Sequence, residues 1–288
     1  MMNLLLLGDG AAARDYARAA LTSGGHYRFA AVCSGIGEEP TLRTHEFAAV
    51  LGIPAVCSFT DALSLPRIVG VVDTSAPWIR SDSVRTALIG GKHVLAESPL
   101  ALDVDEFEGH CRIAAERGLV LLTSRLARSQ EDATVFLSRI GGETALDIVI
   151  EYPTDEGMLP ATRGPHRDER CLWGCAHLMQ GIEIGTLYFG KPGTPVEGNP
   201  FNDRDGVLTA RVRVGYPGGL TATVTVMNVQ GRGRLMVNGH RHMLDDAFGN
   251  VRRNGIGRLI AAIHAGDVTN DHRESMAAMR IHHELIGP

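Results

Sequence analysis

The chain has no stretch of concentrated positive charge: 28 Lys and Arg stand against 33 Asp and Glu, a formal net charge of −5. The basic footprint of a nucleic-acid binder is therefore missing. Aromatic residues make up only 5%, too few for stacking platforms under bases or long sugar chains. The longest apolar run near the start is Leu4–Leu7, far short of a signal peptide core or a membrane span. Cysteine is sparse as well. The five (Cys33, Cys57, Cys111, Cys171 and Cys175) are odd in number and scattered, which fits reduced thiols in a cytoplasmic protein better than a disulfide framework. Cys171, Cys175 and His177 lack a fourth ligand at a zinc-like spacing, so no metal is expected. What remains is a globular composition, 44% hydrophobic and 21% charged over 288 residues, long enough for two domains.

The first half alternates short apolar strands with helical stretches, the pattern of a doubly wound parallel sheet. Strands are expected at Met2–Leu7, Phe29–Cys33, Ala55–Val56, Ile68–Asp73, His93–Ala96 and Leu119–Thr123. Helices are expected after Gly10, over Leu42–Leu51, briefly after Asp61 as a cap, and over Ser81–Gly90 and Val104–Arg117. The second half changes rhythm. A strand at Leu146–Tyr152 precedes a polar stretch, 153–172, read as a loop over a site. A helix then runs over Trp173–Phe189. Val207–Val214 and Leu220–Met227 alternate apolar and polar residues across a Gly-Tyr-Pro-Gly-Gly hairpin, as two-faced antiparallel strands do. A shorter pair is expected at Gly233–Val237 and His242–Leu244, and helices at Leu259–His264 and Glu274–Leu285.

Chemistry shows first at Leu7-Gly8-Asp9-Gly10-Ala11-Ala12-Ala13. This is G-x-G-x-x-A between a strand and a helix. Gly8 permits the tight turn, Gly10 lets backbone approach a pyrophosphate, and Ala13 allows close packing of helix on strand. Asp9 places a negative charge beside the expected phosphates. The second strand ends Cys33-Ser34-Gly35, with no acid before Glu38. An acid there hydrogen-bonds the adenosine ribose of NAD; its absence leaves room for a 2′-phosphate and favours NADP(H) over NAD(H). Arg43 is either a partner for that phosphate or a solvated helix residue.

Several segments together resemble the Gfo/Idh/MocA family, that of glucose-fructose oxidoreductase and inositol dehydrogenase. They are GDGAAA, AVCSG, FAAVLGIPAVCSFTDAL, VVDTSAPWIRSDSVRTALIGGKHVLAESPLAL, GCAHLMQGIEIGTLYFGKP, LMVNGHRHMLDD and LIAAIHAGD. The resemblance implies a Rossmann domain over residues 1–124. It also implies an α+β domain over 125–288, with an open-faced, mostly antiparallel sheet carrying helices on one face. The second domain would bind substrate and join subunits into a homodimer or homotetramer. The family's Glu-Lys-Pro corner becomes Glu97-Ser98-Pro99, with Ser98 in the place of the lysine. A usual His falls on Ser81. In the Asp-x-Gly-x-His-x-x-Asp segment, His177 matches, while Trp173, Cys175 and Gln180 depart.

The cofactor-binding set is then Gly8, Gly10, Ala11, Ala12, Ser34, Thr74, Ser75, Pro77 and Glu97. Hydride transfer to a carbonyl needs a proton source. A serine hydroxyl is too weak an acid to act alone, whereas an imidazole titrates near neutrality. His177 is therefore the expected acid/base, Ser98 positions substrate, and Glu97 orients the nicotinamide ribose, relays a proton or caps the strand end. Arg163, with His166, Arg167 and Arg170, forms either a clamp for a substrate anion or a solvated loop balanced by Asp168 and Glu169. Trp173 and Gln180 complete the substrate set. The expected reaction is hydride exchange with a small polar carbonyl, imine or alcohol. The alternatives are redox-neutral elimination or epimerisation on a tightly held NAD(P), or a binding protein that has lost the chemistry.

Overall fold

The computed structural model describes residues 1–36, 39–56, 58–124, 142–153, 167–190, 192, 195–204, 207–229, 233–268 and 272–286. The chain divides into two compact units. The first comprises Met1–Arg125 with Val251–Asp271, the second Leu126–Asn250 with His272–Pro288.

In the first unit β1 (Met2–Leu7), β2 (Tyr27–Cys33), β3 (Ile68–Asp73), β4 (His93–Glu97) and β5 (Leu121–Ser124) form one sheet, ordered β2-β1-β3-β4-β5. Every described pairing in it is parallel. β1 is apolar without alternation because both its faces are covered, and Leu4 to Leu7 are all fully buried. One face packs Leu4, Leu6, Val72, Leu95 and Leu122 against Ala13, Tyr16 and Ala17 of α1 (Ala11–Leu21) and Phe47 and Ala48 of α2 (Leu42–Leu51). The same cluster takes in Ile256, Leu259 and Ile260 from a returning helix. α3 (Phe59–Ser64), α4 (Pro77–Ile89) and α5 (Val104–Glu116) complete the connections.

Two helix starts among α1–α5 differ from the sequence reading. Ser58, not Asp61, caps α3 by accepting the Asp61 N–H at 3.2 Å, and Asp61 lies in the first turn. α4 begins at Pro77, four residues before Ser81, because proline fits the first helical position.

The second unit holds a sheet ordered β11-β10-β6-β9-β8-β7: β6 (Ala145–Pro153), β7 (Pro195–Arg204), β8 (Val207–Tyr216), β9 (Leu220–Val229), β10 (Arg234–Val237) and β11 (His240–Met243). Only β6 with β9 is parallel, so the described sheet is mostly antiparallel. Asn238 (φ 48°) and Gly239 (φ 79°) make the two-residue hairpin between β10 and β11. α6 runs over Arg167–Phe189 and so starts six residues before Trp173. Gly181 and Gly185 let it lie directly on the sheet: a Cβ at 181 would overlap Val224, and one at 185 would lie 2.5 Å from the Tyr216 hydroxyl. α8 (Arg273–Ile286) packs beside α6. α7 (Leu244–Ala265) begins fifteen residues before the expected Leu259, and its part from Val251 belongs to the first unit. No described helix is long and apolar enough to cross a membrane.

Candidate functional site

The order β2-β1-β3-β4-β5 reverses between β1 and β3, and ligands of open α/β sheets lie outside the carboxyl ends of the strands at such a point. Both strands there lead into helices without side-chain caps. Gly10 before α1 and Ala76 before α4 make no side-chain capping hydrogen bond, whereas Thr41, Ser58 and Asp103 cap α2, α3 and α5. Uncapped N–H groups are anion-binding groups in waiting.

Gly8 turns at φ 101°, and a Cβ there would overlap the Thr74 hydroxyl. That hydroxyl is fixed by donating to the Leu7 carbonyl at 2.7 Å, beside the Thr74 N–H at 2.9 Å to the same oxygen. At Gly10 a Cβ would meet only Arg43 Nη2, 3.9 Å away. The space over the turn is open, and Ala11 and Ala12 present small side chains at its edge. Glycine, open space and uncapped N–H groups together fit a dinucleotide pyrophosphate. Gly8→Ala is expected to cost about 1–2 kcal/mol of stability from the left-handed backbone alone, read as a lowered urea midpoint at unchanged m-value.

The carboxylate of Asp9 turns away from the α1 terminus. It accepts from Thr44 Oγ1 at 2.7 Å and Thr41 Oγ1 at 3.4 Å, and lies 3.6 Å from Arg43 Nε. Ser34, at the end of β2, touches the same Thr44 hydroxyl at 2.8 Å. Ser75 is buried; its N–H donates to Asp73 Oδ1 at 2.8 Å, and Pro77 is likewise buried at the first position of α4. Ser81 sits on α4 within 2.9 Å of His110 Nε2.

At the β4 end, Arg80 is 1% exposed and braces the corner. Its guanidinium donates to the carbonyls of Glu97 (3.2 Å), Pro99 (2.8 Å) and Ser75. The Glu97 side chain is engaged within its own unit: Oε1 accepts from the Tyr16 hydroxyl at 2.9 Å and Arg252 Nε at 3.2 Å. Arg252 Nη2 lies 3.4 Å from Oε2, and Arg252 Nη1 reaches Asp15 at 2.5 Å. Burial pushes the Glu97 carboxyl up, but the charge and hydrogen bonds of Arg252, then Arg80 and Tyr16, outweigh it and hold it below the ordinary carboxylate range. Burial and the Glu97 charge push the Tyr16 hydroxyl well up. Tyr16, Arg80 and Arg252 carried no signal in the sequence. By contrast, Ser98 Oγ has no hydrogen-bond partner among the described residues although Ser98 is only 6% exposed. An unmet buried hydroxyl costs about 1–3 kcal/mol.

In the second unit, His177 on α6 stacks on Tyr152 of β6, centroids 4.6 Å apart and rings inclined by 22°. Tyr152 also went unmarked in the sequence. Gln180 is 4% exposed, and its Oε1 has no partner among the described residues. Arg163 and His166 lie outside the described residues, as do the side chains of Arg167, Arg170 and Trp173. Among the described residues no group of three or more His, Cys, Asp or Glu is placed to hold a metal ion.

Residues 2–124 match the oxidoreductase family with an NAD-binding Rossmann fold, GFO_IDH_MocA. No curated protein matches the chain. Biliverdin reductase from Synechocystis sp. PCC 6803, solved with biliverdin and NADP+, is similar in structure: TM-score 0.75, 17% identity, covering 97% of this chain and 96% of that one. GenD2 of gentamicin A biosynthesis, solved with NAD, gives TM-score 0.79 at 13% identity over 99% and 93%. Myo-inositol 2-dehydrogenase from Lactobacillus plantarum gives 0.79 at 12% over 98% and 95%. These likenesses describe the fold.

Proposed function

We propose that the chain, whose residues 2–124 match the oxidoreductase family with an NAD-binding Rossmann fold, is an NAD(P)-dependent oxidoreductase of a small polar carbonyl, imine or alcohol. The observation that carries this reading is the uncapped start of α1 over the open glycine turn. Gly8, Gly10, Ala11 and Ala12 would hold the pyrophosphate, and Ser34 the adenosine ribose. Thr74, Ser75 and Pro77 would line the nicotinamide side. The acid-free end of β2 and the Arg43 guanidinium beside Gly10 support NADP(H) as the preferred form.

When bound, the nicotinamide gives or accepts a hydride at the substrate carbon. His177 supplies the accompanying proton to the substrate oxygen or nitrogen, and removes it in the reverse direction. Its place over Tyr152 supports this, because stacking fixes the ring plane while leaving nitrogens at its rim. Ser98 Oγ and Gln180 Oε1, buried without partners among the described residues, suit polar substrate groups. Arg163 and Trp173 stay in the substrate set on the resemblance alone. Glu97 acts as a positioning residue, spending its charge on Arg252. A second copy would pair with the sheet face bearing Thr209, Arg211, Arg213, Thr221, Thr223 and Thr225, which are part-buried or exposed.

Fluorescence titration with NADPH and NADH tests the reading, followed by turnover with candidate carbonyls and imines. Saturable binding and NADPH loss matched to product are expected. A cofactor that co-purifies and is never consumed would instead mark the redox-neutral alternative, and no binding of either form would leave only a binding protein.

A further inference from the structure

The acid that the end of β2 lacks is supplied by the glycine turn. Asp9 sends its carboxylate across to the start of α2, where it meets Thr44, a fully buried residue that also touches Ser34. The direction of these hydrogen bonds follows from donor counting. A carboxylate only accepts, and a threonine hydroxyl has one proton. Thr44 gives that proton to Asp9 at 2.7 Å. With that proton on Asp9, Thr44 accepts from Ser34, 2.8 Å away, and Ser34 donates. Thr44 Oγ1 also accepts the Thr41 N–H at 3.2 Å and lies 3.0 Å from Thr41 Oγ1, whose own proton goes to Asp9 Oδ2 at 3.4 Å. Ser34 is therefore left with lone pairs, and no proton, to offer a ligand at the β2 end.

That is the polarity of a ribose acceptor. A 2′-hydroxyl can donate to Ser34, while a 2′-phosphate finds no proton on the Ser34 hydroxyl and meets the Asp9 charge behind it. Arg43 pulls the other way. Its Nη2 lies beside Gly10 and its Nε is 3.6 Å from Asp9 Oδ1, in a pair whose side chains are 42% and 19% exposed. The guanidinium is thus near enough to the turn to meet a phosphate and exposed enough to swing to one.

Building on the dinucleotide reading above, we infer that Asp9 and Arg43 are opposed determinants of cofactor choice. Asp9, through Thr44, sets Ser34 to accept from the ribose hydroxyl of NAD(H), and Arg43 draws the 2′-phosphate of NADP(H). The preference of the wild-type chain is the difference between the two.

The test is the ratio of NADPH to NADH dissociation constants, measured by fluorescence titration on the full chain. Asp9→Asn removes the charge, keeps an acceptor for Thr44, and should shift the ratio at least about tenfold toward NADPH, with NADH affinity lowered or unchanged. Arg43→Ala should shift it about tenfold toward NADH. Thr44→Val keeps both charges and breaks the relay, and should weaken NADH more than NADPH. Thermal melts identify any variant that fails to fold, and the remaining two still decide the matter. Ratios within twofold of wild type in Asp9→Asn and Arg43→Ala overturn the inference while leaving the dinucleotide reading intact. Failure of the wild type to bind either cofactor overturns both.

Discussion

Replacing Arg252 by alanine is expected to destabilise the first unit by about 3–5 kcal/mol, the usual cost of stripping one partner from a buried ion pair. Glu97 is 9% exposed, and its carboxylate draws its cationic hydrogen bonds from this one guanidinium. Without it, Tyr16 supplies a single hydroxyl to a charge that burial disfavours. Arg252 also ties Asp15 of α1 to the returning helix, so three segments separate at once. The melting temperature should fall on the order of 5–10 °C, and Arg252→Lys should recover only part, because an ammonium cannot span Glu97 and Asp15 as a fork does. The pH dependence has a definite sign. Glu97 is held below its unfolded value, so its stabilisation is present above the ordinary carboxylate range and is lost as pH falls through the folded value. The gap between wild type and Arg252→Ala should therefore narrow in acid. A gap constant from pH 7 to pH ~3 would show that Arg252 acts by packing and not by charge.

The residues of that network also show where sequence reasoning stops. The Glu97-Ser98-Pro99 corner is legible because an apolar strand ending on polar residues has a local pattern. Arg252 is 155 residues away from Glu97, and nothing in its surroundings marks it. Its helix was itself half hidden: Leu244–Ala265 contains Gly249, Gly255 and Gly257 with Asn250 and Asn254, all poor helix formers. Packing overrides that propensity. The helix packs Ile256, Leu259 and Ile260 into the same cluster as Leu95 of β4. β7 is expected by no pattern in the sequence, because Pro195, Gly198 and Pro200 disfavour a strand, yet it is an edge strand of the described sheet, where proline is tolerated. The glycine turn is fully legible, since glycine spacing and strand-to-helix order are local. Asp9 was seen beside the turn, but the direction of its carboxylate depends on Thr44, 35 residues on.

His177→Ala is expected to lower turnover by roughly 10²–10⁴-fold, the usual contribution of a general acid or base, while NADPH and NADH affinities stay within about twofold, the group proposed to bind them being in the other unit. The stack with Tyr152 makes the variant informative. Removing the imidazole also removes a ring from a contact with centroids 4.6 Å apart, so some loss of order in the middle of α6 would mimic a chemical effect. His177→Phe separates the two, because it keeps a ring for Tyr152 and has no proton to move. Equal losses in Phe and Ala variants assign the effect to proton transfer, and recovery in Phe assigns it to packing. The pH profile gives a second reading: the limb that reports the imidazole should vanish in both variants if His177 carries the proton. Imine substrates sharpen the comparison, since they can arrive already protonated. The loss on His177→Ala should then be smaller for an imine than for the matching ketone. An equal loss on both would place the role of His177 in holding substrate and move the search for the proton donor to other groups.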